Sequence, residues 1–210
     1  ALCAGHKLDL MAYTGQRAVL QYQSIPPSAQ GAAGSSGGVI DLDRDYWGMN
    51  ARWRLVRDWQ GGRLDVSAGL AGDRQTDLRR GYENFIGSTL GVRGALRREE
   101  TNRATTLDPY ARASWQTAEW TFEGGIRRVQ ARYVSDDRFL ANGDQSGRTD
   151  HSGYLPVVGA RWQLSPQVQA FASVGRGLET PTLNEAAYSP SGDAGLNTAL
   201  NAARSTSAEI

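Results

Sequence analysis

The protein has 210 residues, with 23 Lys and Arg against 22 Asp and Glu, so it lacks the global basic field that draws nucleic acid, and none is expected as a partner. A single cysteine, Cys3, excludes an intramolecular disulfide framework and a cysteine-rich zinc site, and no apolar run approaches the roughly 18 residues of a membrane-crossing helix. The opening "ALCAGHKLDL" has no initiating Met and no basic segment leading into an apolar one, so the chain reads as a mature segment or a fragment.

Taken in order, the predicted elements are strands. Leu8, Leu10 and Ala12 alternate with Lys7, Asp9 and Met11, and Ala18, Leu20 and Tyr22 alternate with Arg17, Val19 and Gln21; "TGQ" at 14–16 reads as a tight turn between them. A long Gly- and Ser-rich loop is expected over 24–45. Trp47, Met49, Ala51, Trp53 and Leu55 then share one face, as do Leu64, Val66, Ala68 and Leu70 after the tight turn "DWQGG" at 58–62. Residues 74–106 read as a long loop, with Ile86, Leu90, Val92 and Leu96 as a short strand within it. Leu107, Ala111, Ala113 and Trp115 form the next apolar face, and Trp120, Phe122, Gly124 and Ile126 the one after, across "TAE" at 117–119. In "IRRVQARYV" the apolar parity shifts after Ile126, which predicts either a bulge or a strand that has left its apolar surroundings. A loop over 135–152 leads to Tyr154, Val158, Ala160 and Trp162, then "LSPQ" at 164–167, then Val168, Ala170, Ala172 and Val174. Past Val174, "TPTLNEAAY" offers one helical turn, with Thr180 as its cap and Pro181 at its first position. A long loop over 177–205 and a strand stub at 206–210 close the chain.

The connections are more informative than the strands. Short and long alternate throughout, so in an up-and-down meander the short turns gather at one end and the long loops at the other, as in outer-membrane barrels. Trp59, Trp115, Trp120 and Trp162 lie close to short turns with the parity of the apolar face, and Trp47 lies at the far end of its strand; two interfacial girdles would look like this. The core aromatics of a soluble carbohydrate-binding β-sandwich would also fit the tryptophans alone, and a passive or structural barrel would fit the loops. The opposite face carries Arg52, Arg54, Asp65, Arg112, Glu119, Glu123, Arg127 and Arg161. The expected fold is all-β: part of an antiparallel up-and-down transmembrane β-barrel, about eight strands plus a stub.

"GRGLETPTLNE" with the following "AAYSPSGDAGLNTALNAARSTSAEI" resembles a segment of TonB-dependent outer-membrane receptors, through Gly175, Pro181, Glu185, Gly195, Asn197, Leu200, Ser205 and Glu209. "GYENFIG" (81–87), "LDPYARASWQ" (107–116) and "VGARWQLSPQVQAFASVGRG" (158–177) are similar to the same family's barrel. The resemblance implies a larger barrel of about 22 strands closed by an N-terminal plug, of which residues 1–210 are an internal wall fragment without the plug. It implies an outer-membrane location among lipid, energy supplied by the TonB protein through the plug region, and active import of a ferric siderophore, ferric citrate or a similar scarce nutrient. A quinone cofactor such as pyrroloquinoline quinone is the alternative cargo. Such cargoes are anionic, so Arg79, Arg80, Arg97, Arg98 and Arg103 on the long loops are candidate contacts, with Tyr82 and Phe85 as stacking partners and Arg176 and Glu179 at the rim. Solvated loop charge explains the same arginines.

Enzymatic chemistry is not expected, and neither is a resident cofactor or metal. "GRGLET" supplies two glycines of a dinucleotide fingerprint without the third or a following long helix. His6 and His151 lack ligand-spaced partners, no serine sits in a nucleophile elbow, and Asp136, Asp137 and Asp144 near Asn142 lack the spacing of a calcium loop.

Overall fold

The computed structural model describes residues 5–186, 197 and 199–210. Its strands are β1 (His6–Tyr22), β2 (Val39–Trp59), β3 (Gly62–Tyr82), β4 (Phe85–Ile86), β5 (Thr89–Leu90), β6 (Leu96–Gln116), β7 (Trp120–Asp137), β8 (Gly147–Ser165), β9 (Val168–Glu179) and β10 (Ala203–Glu209). One antiparallel sheet contains eight of them in the order β1-β2-β3-β6-β7-β8-β9-β10, while β4 and β5 form a small separate hairpin. Once that hairpin is set aside, every neighbour in space is a neighbour in sequence. This is the expected meander.

The predicted turn at 14–16 does not exist. β1 runs straight through it, pairing Thr14 with Trp47, Gly15 with Tyr46 and Gln16 with Asp45. Gly15 serves close approach rather than a turn: a Cβ there would stand 2.3 Å from the Tyr46 hydroxyl, whose ring lies over it. The two predicted opening strands are therefore one, and the stub is the eighth full member of the sheet. The alternation of connections survives this correction. Gln60 and Gly61, with φ of 47° and 75°, make a two-residue turn with both central residues left-handed, which matches the twist of the flanking strands. The next short turn is closed by the Thr117 N–H to the Trp120 carbonyl at 2.7 Å, and β8 passes to β9 through residues 166–167.

Register assigns the faces. Cross-strand partners share a face, so the row Leu55, Val66, Ala113, Gly124, Val158 and Val174 is continuous from β2 to β9. Rows above and below it carry Leu8, Trp53, Ala68, Ala111 and Ile126, and Leu64, Trp115, Phe122, Ala160 and Ala172. Nothing among the described residues covers this apolar face: Leu10, Leu107, Phe122, Val158 and Val174 are all exposed. A soluble sandwich would need a second sheet over it, and the described chain offers only the two-residue hairpin strands. The sandwich alternative is overturned.

At the short-turn end the aromatic rings touch in sequence. Trp59 meets Trp115 edge-on at 5.9 Å, Trp115 and Trp120 each stack on Phe122, and Trp120 stacks on Trp162 at 5.2 Å. Trp47 is half exposed on the same face, farther towards the long-loop end.

The parity shift in β7 has the second of its two predicted causes. Register with β8 is unbroken from Trp120 to Ser135, so there is no bulge. Beyond Ile126 the apolar residues simply turn to the opposite face, where Ala131 and Tyr133 are buried. The strands are longer than predicted, 21 residues in β2, β3 and β6. About 9–11 residues suffice to cross a membrane. Along the extra length the face that is apolar lower down becomes charged, tied by cross-strand pairs such as Arg80–Asp43 at 2.8 Å and Arg132–Asp150 at 2.7 Å.

After β9 the helical turn is Leu183–Ala186, and its cap is Thr182 rather than Thr180. The Glu185 N–H donates to the Thr182 hydroxyl at 3.2 Å and the Thr182 N–H donates to the Glu185 carboxylate at 2.7 Å, a reciprocal capping box. The side chain of Asn184 and the match at Gly195 lie outside the described residues, as does Cys3. The backbone N–H of Thr182, then its hydroxyl, holds the Glu185 carboxyl below its ordinary value of 4.5. A carboxyl lowered in the folded state contributes order that is present above its unfolded value and lost as pH falls through the lowered one. Hydrogen exchange of the 178–186 segment, corrected for intrinsic rates, is expected to show opening as pH drops from about 6 to 3, and Glu185→Gln should abolish that pH dependence. An identical pH response in the variant would assign the opening to another group.

Candidate functional site

The polar face is built in two zones. At the short-turn end it is a lattice of ion pairs: Asp9 with Lys7 and Arg52, both at 2.7 Å, Arg54 with Asp65, Arg112 with Glu123 at 2.8 Å, and Arg127 with Asp108. Pro109 interrupts the β6–β7 ladder opposite Arg128, and the Gln130 N–H turns to the Asp108 carboxylate at 3.2 Å. A groove of about 620 Å³ opens here, lined by Asn50, Tyr110, Arg112, Glu123, Arg127 and Val157. Its wall mixes these charges and one aromatic ring with a larger apolar share from residues such as Ala111, Leu155 and Val157.

At the long-loop end the same face is roofed. Residues 23–38 fold back over β3 so closely that a Cβ on Gly81 would stand 2.1 Å from the Ser36 carbonyl oxygen. A buried amide knot fixes this fold. Gln30, with no exposed surface, donates through Nε2 to the Ile25 carbonyl and to Asn84 Oδ1, and accepts the Asn84 N–H at 3.0 Å. Asn84 Nδ2 in turn donates to the Gln23 carbonyl at 2.7 Å. The next loop joins the roof, with Asn142 Nδ2 on the Ala33 carbonyl at 3.1 Å. Beneath lie Arg44, bidentate on buried Asp77 at 2.8 and 2.7 Å, and Glu100, with Arg79 at 3.7 Å and Arg98 at 3.8 Å on either side. The crevice between residues 34–36, Arg97, Arg98 and Asn142 is nearly closed at about 10 Å³, room for about one water.

The predicted ligand contacts divide between the two faces. Arg79 and Arg98 come together on the polar face around Glu100. Arg97 reaches up into the roof, donating to the Ala32 carbonyl at 2.7 Å, with Glu83 at 3.9 Å. Arg80 points to the apolar-face side, where Asp43 and Asp41 hold it at 2.8 and 3.9 Å, and Arg103 pairs with Asp136 on that side too. Tyr82 has the Arg93 guanidinium over its ring at 4.5 Å, and Phe85 opens the hairpin β4–β5. Arg176 is exposed on the apolar-face side of β9, and Glu179 is the last residue of that strand. The acids near Asn142 are turned to other donors: Asp137 accepts the Phe139 and Gln145 N–H groups, and Asp144 accepts the Ser146 N–H at 2.9 Å; the Ser146 hydroxyl, then this N–H, holds the Asp144 carboxyl below the ordinary range. No cluster of three metal-ligating side chains occurs among the described residues. Sequence reasoning missed Gln30, Asn84 and Asp77; the isolated buried amides carry no spacing signal.

Comparison with known proteins adds the family. Two solved structures share the architecture. The unliganded ferric citrate transporter FecA superposes with a TM-score of 0.67 at 13% identity, covering 84% of this chain and 25% of its own. The ferric yersiniabactin uptake receptor FyuA from Yersinia pestis superposes with a TM-score of 0.54 at 15% identity, covering 97% of this chain and 29% of its own. This chain therefore spans between a quarter and a third of the length of those structures. The family description "TonB dependent receptor-like, beta-barrel" matches residues 6–210, nearly the whole sequence, and the chain belongs to that family.

Proposed function

We propose that this chain is a wall segment of a longer TonB-dependent receptor that imports an iron chelate across the outer membrane. The apolar face then lies against lipid, the polar face lines the lumen, and the long loops face the exterior. The ion-paired lower zone and its groove receive the plug domain, through which TonB would supply energy. Neither is part of this sequence. The observation that supports an anionic cargo is the pair Arg79 and Arg98 on either side of Glu100, directly beneath the roof. Each guanidinium can offer paired N–H donors where cargo would enter, a geometry suited to carboxylates of a citrate or siderophore complex. A quinone tricarboxylate would satisfy the same charges, and the test below separates the two.

The experiment is uptake by cells producing the complete receptor. Arg79→Gln with Arg98→Gln is expected to weaken half-saturation for the ferric chelate by about 10- to 100-fold, since a hydrogen bond to a charged group contributes about 1.5–3 kcal/mol and some of it is already spent on Glu100. Competition with unlabelled ferric citrate, a ferric siderophore and the quinone identifies the cargo. Unchanged half-saturation at normal surface abundance would remove these arginines from the cargo path.

A further inference from the structure

The lipid-facing side carries a second feature that nutrient uptake does not use. On β7–β10 its apolar surface gives way abruptly to arginine. Arg128 stands eight residues along β7 from Trp120, its guanidinium 5.7 Å from the exposed ring of Tyr154 on β8. Arg176 follows two residues after Val174 on β9 and is exposed, with no ion-pair partner among the described residues. Arg204 on β10 is also exposed and, among the described residues, donates to the backbone carbonyl of Ser152 at 3.3 Å. Farther along, Arg132 and Arg148 share one carboxylate, Asp150, at 2.7 Å each. With Arg103 and Asp136, which pair at the same end of this face, six guanidiniums thus face two acids among the described residues. On β2 and β3 the corresponding surface is different: Asp41, Asp43 and Asp45 balance Arg74, Arg80 and the loop's Arg93 there.

Height decides what this patch meets. Eight residues of strand span about 26 Å. At a tilt near 40° that is about 20 Å of depth, close to the roughly 25 Å apolar band of an outer-membrane barrel. With Trp120 at the inner girdle, Arg128 and Arg204 sit at the outer interface, where lipid headgroups lie, and Arg176 stands two residues farther in, within reach of them. Long guanidinium side chains there can keep their stems in the acyl region and their heads among phosphates. Arginine is the residue suited to holding a phosphate by two parallel hydrogen bonds, and Tyr154 supplies an apolar flank at the same level.

We propose that Arg128, Arg176 and Arg204, around Tyr154, form a docking site for an outer-leaflet lipid whose headgroup carries phosphate groups. The inference rests on the membrane orientation given under Proposed function, and the test is arranged to fail separately from it. The complete receptor is reconstituted in phosphatidylcholine vesicles doped with diphosphoryl lipid A, or with the same lipid after phosphate removal. Lipid A retained per protein is counted by mass spectrometry after detergent extraction. Wild-type receptor is expected to retain the phosphorylated form selectively. Replacing all three arginines by glutamine should cut retention by at least tenfold, since each basic side chain near an anionic lipid surface is worth about fivefold. Arg57→Gln, exposed on the same face beside Trp59 at the short-turn end, should leave it unchanged. Native electrophoretic mobility checks that each variant has folded, and single replacements serve if the triple variant does not. Equal retention of both lipid forms, loss of retention in Arg57→Gln, or displacement of the lipid by inorganic phosphate alone would each overturn the proposal. Whole-cell labelling of single cysteines at exposed Leu140 and Gln167 reports the orientation independently, so loss of the lipid site and a wrong orientation are distinguishable.

Discussion

Ala113→Arg in the complete receptor is expected to destabilise the folded barrel by about 2–4 kcal/mol, the cost of an arginine on the lipid face near the bilayer midplane. Ala113 lies in the middle apolar row, between Val66 on β3 and Gly124 on β7. Ala160 is one row nearer the tryptophan strip, opposite Phe122, so Ala160→Arg should cost less. The decisive comparison is with the next residue. Ser114 has the opposite facing, with Asp65 and Glu123 as its cross-strand partners. Ser114→Arg therefore meets two carboxylates in a wet lumen and should change stability by less than about 1 kcal/mol. Reversible unfolding in lipid vesicles would measure all three. Equal costs at positions 113 and 114 would contradict the assignment of faces.

The second large effect is expected at Asp77. Its side chain is only 5% exposed, and it accepts two hydrogen bonds from Arg44 and one from Gln75 at 3.2 Å. Asp77→Ala leaves the Arg44 guanidinium, 23% exposed, without its counter-charge under the loop roof. Breaking a fully buried pair costs about 3–5 kcal/mol, and partial access of water to Arg44 lowers the expectation to about 2–3 kcal/mol. Arg44→Met with Asp77→Leu should recover much of the loss, because the penalty comes from the stranded charge rather than from a missing attraction. A cost for Asp77→Ala below about 1 kcal/mol would place the pair among ordinary surface ion pairs.

How far the sequence reaches depends on which solvent surrounds each stretch. Where one face meets lipid and the other water, the period-2 pattern is strong, so Trp53, Ala113, Phe122 and Val158 were assignable to one face without coordinates. Beyond Ile126 and before Trp47 the face that is apolar lower down is charged, and apolar residues such as Ala131 and Tyr133 sit on the other. Alternation fades while the backbone ladder continues, which is why residues read as loops at 39–45, 74–82 and 96–106 are strand. Gly15 misled for a different reason: glycine marks both turns and close approaches, and the overlying Tyr46 ring comes from another strand. The Thr182–Glu185 capping box was legible as a Thr followed three residues later by Glu, but the proline one position earlier suggested a different start. At the candidate site, the abundance of arginine was plain. Which of them face inward follows from strand parity alone, and that parity was not traceable through stretches taken for loop.

The central claim is the orientation of this segment in the outer membrane, long loops outside and short turns inside. It is tested most directly by accessibility in whole cells. In the full-length receptor, with Cys3 replaced by serine, single cysteines are placed at exposed Leu140, between β7 and β8, and at exposed Gln167, between β8 and β9. A membrane-impermeant maleimide is expected to label Leu140→Cys on intact cells and Gln167→Cys only after the outer membrane is permeabilised. Labelling of Gln167→Cys on intact cells, with Leu140→Cys protected until permeabilisation, would contradict it.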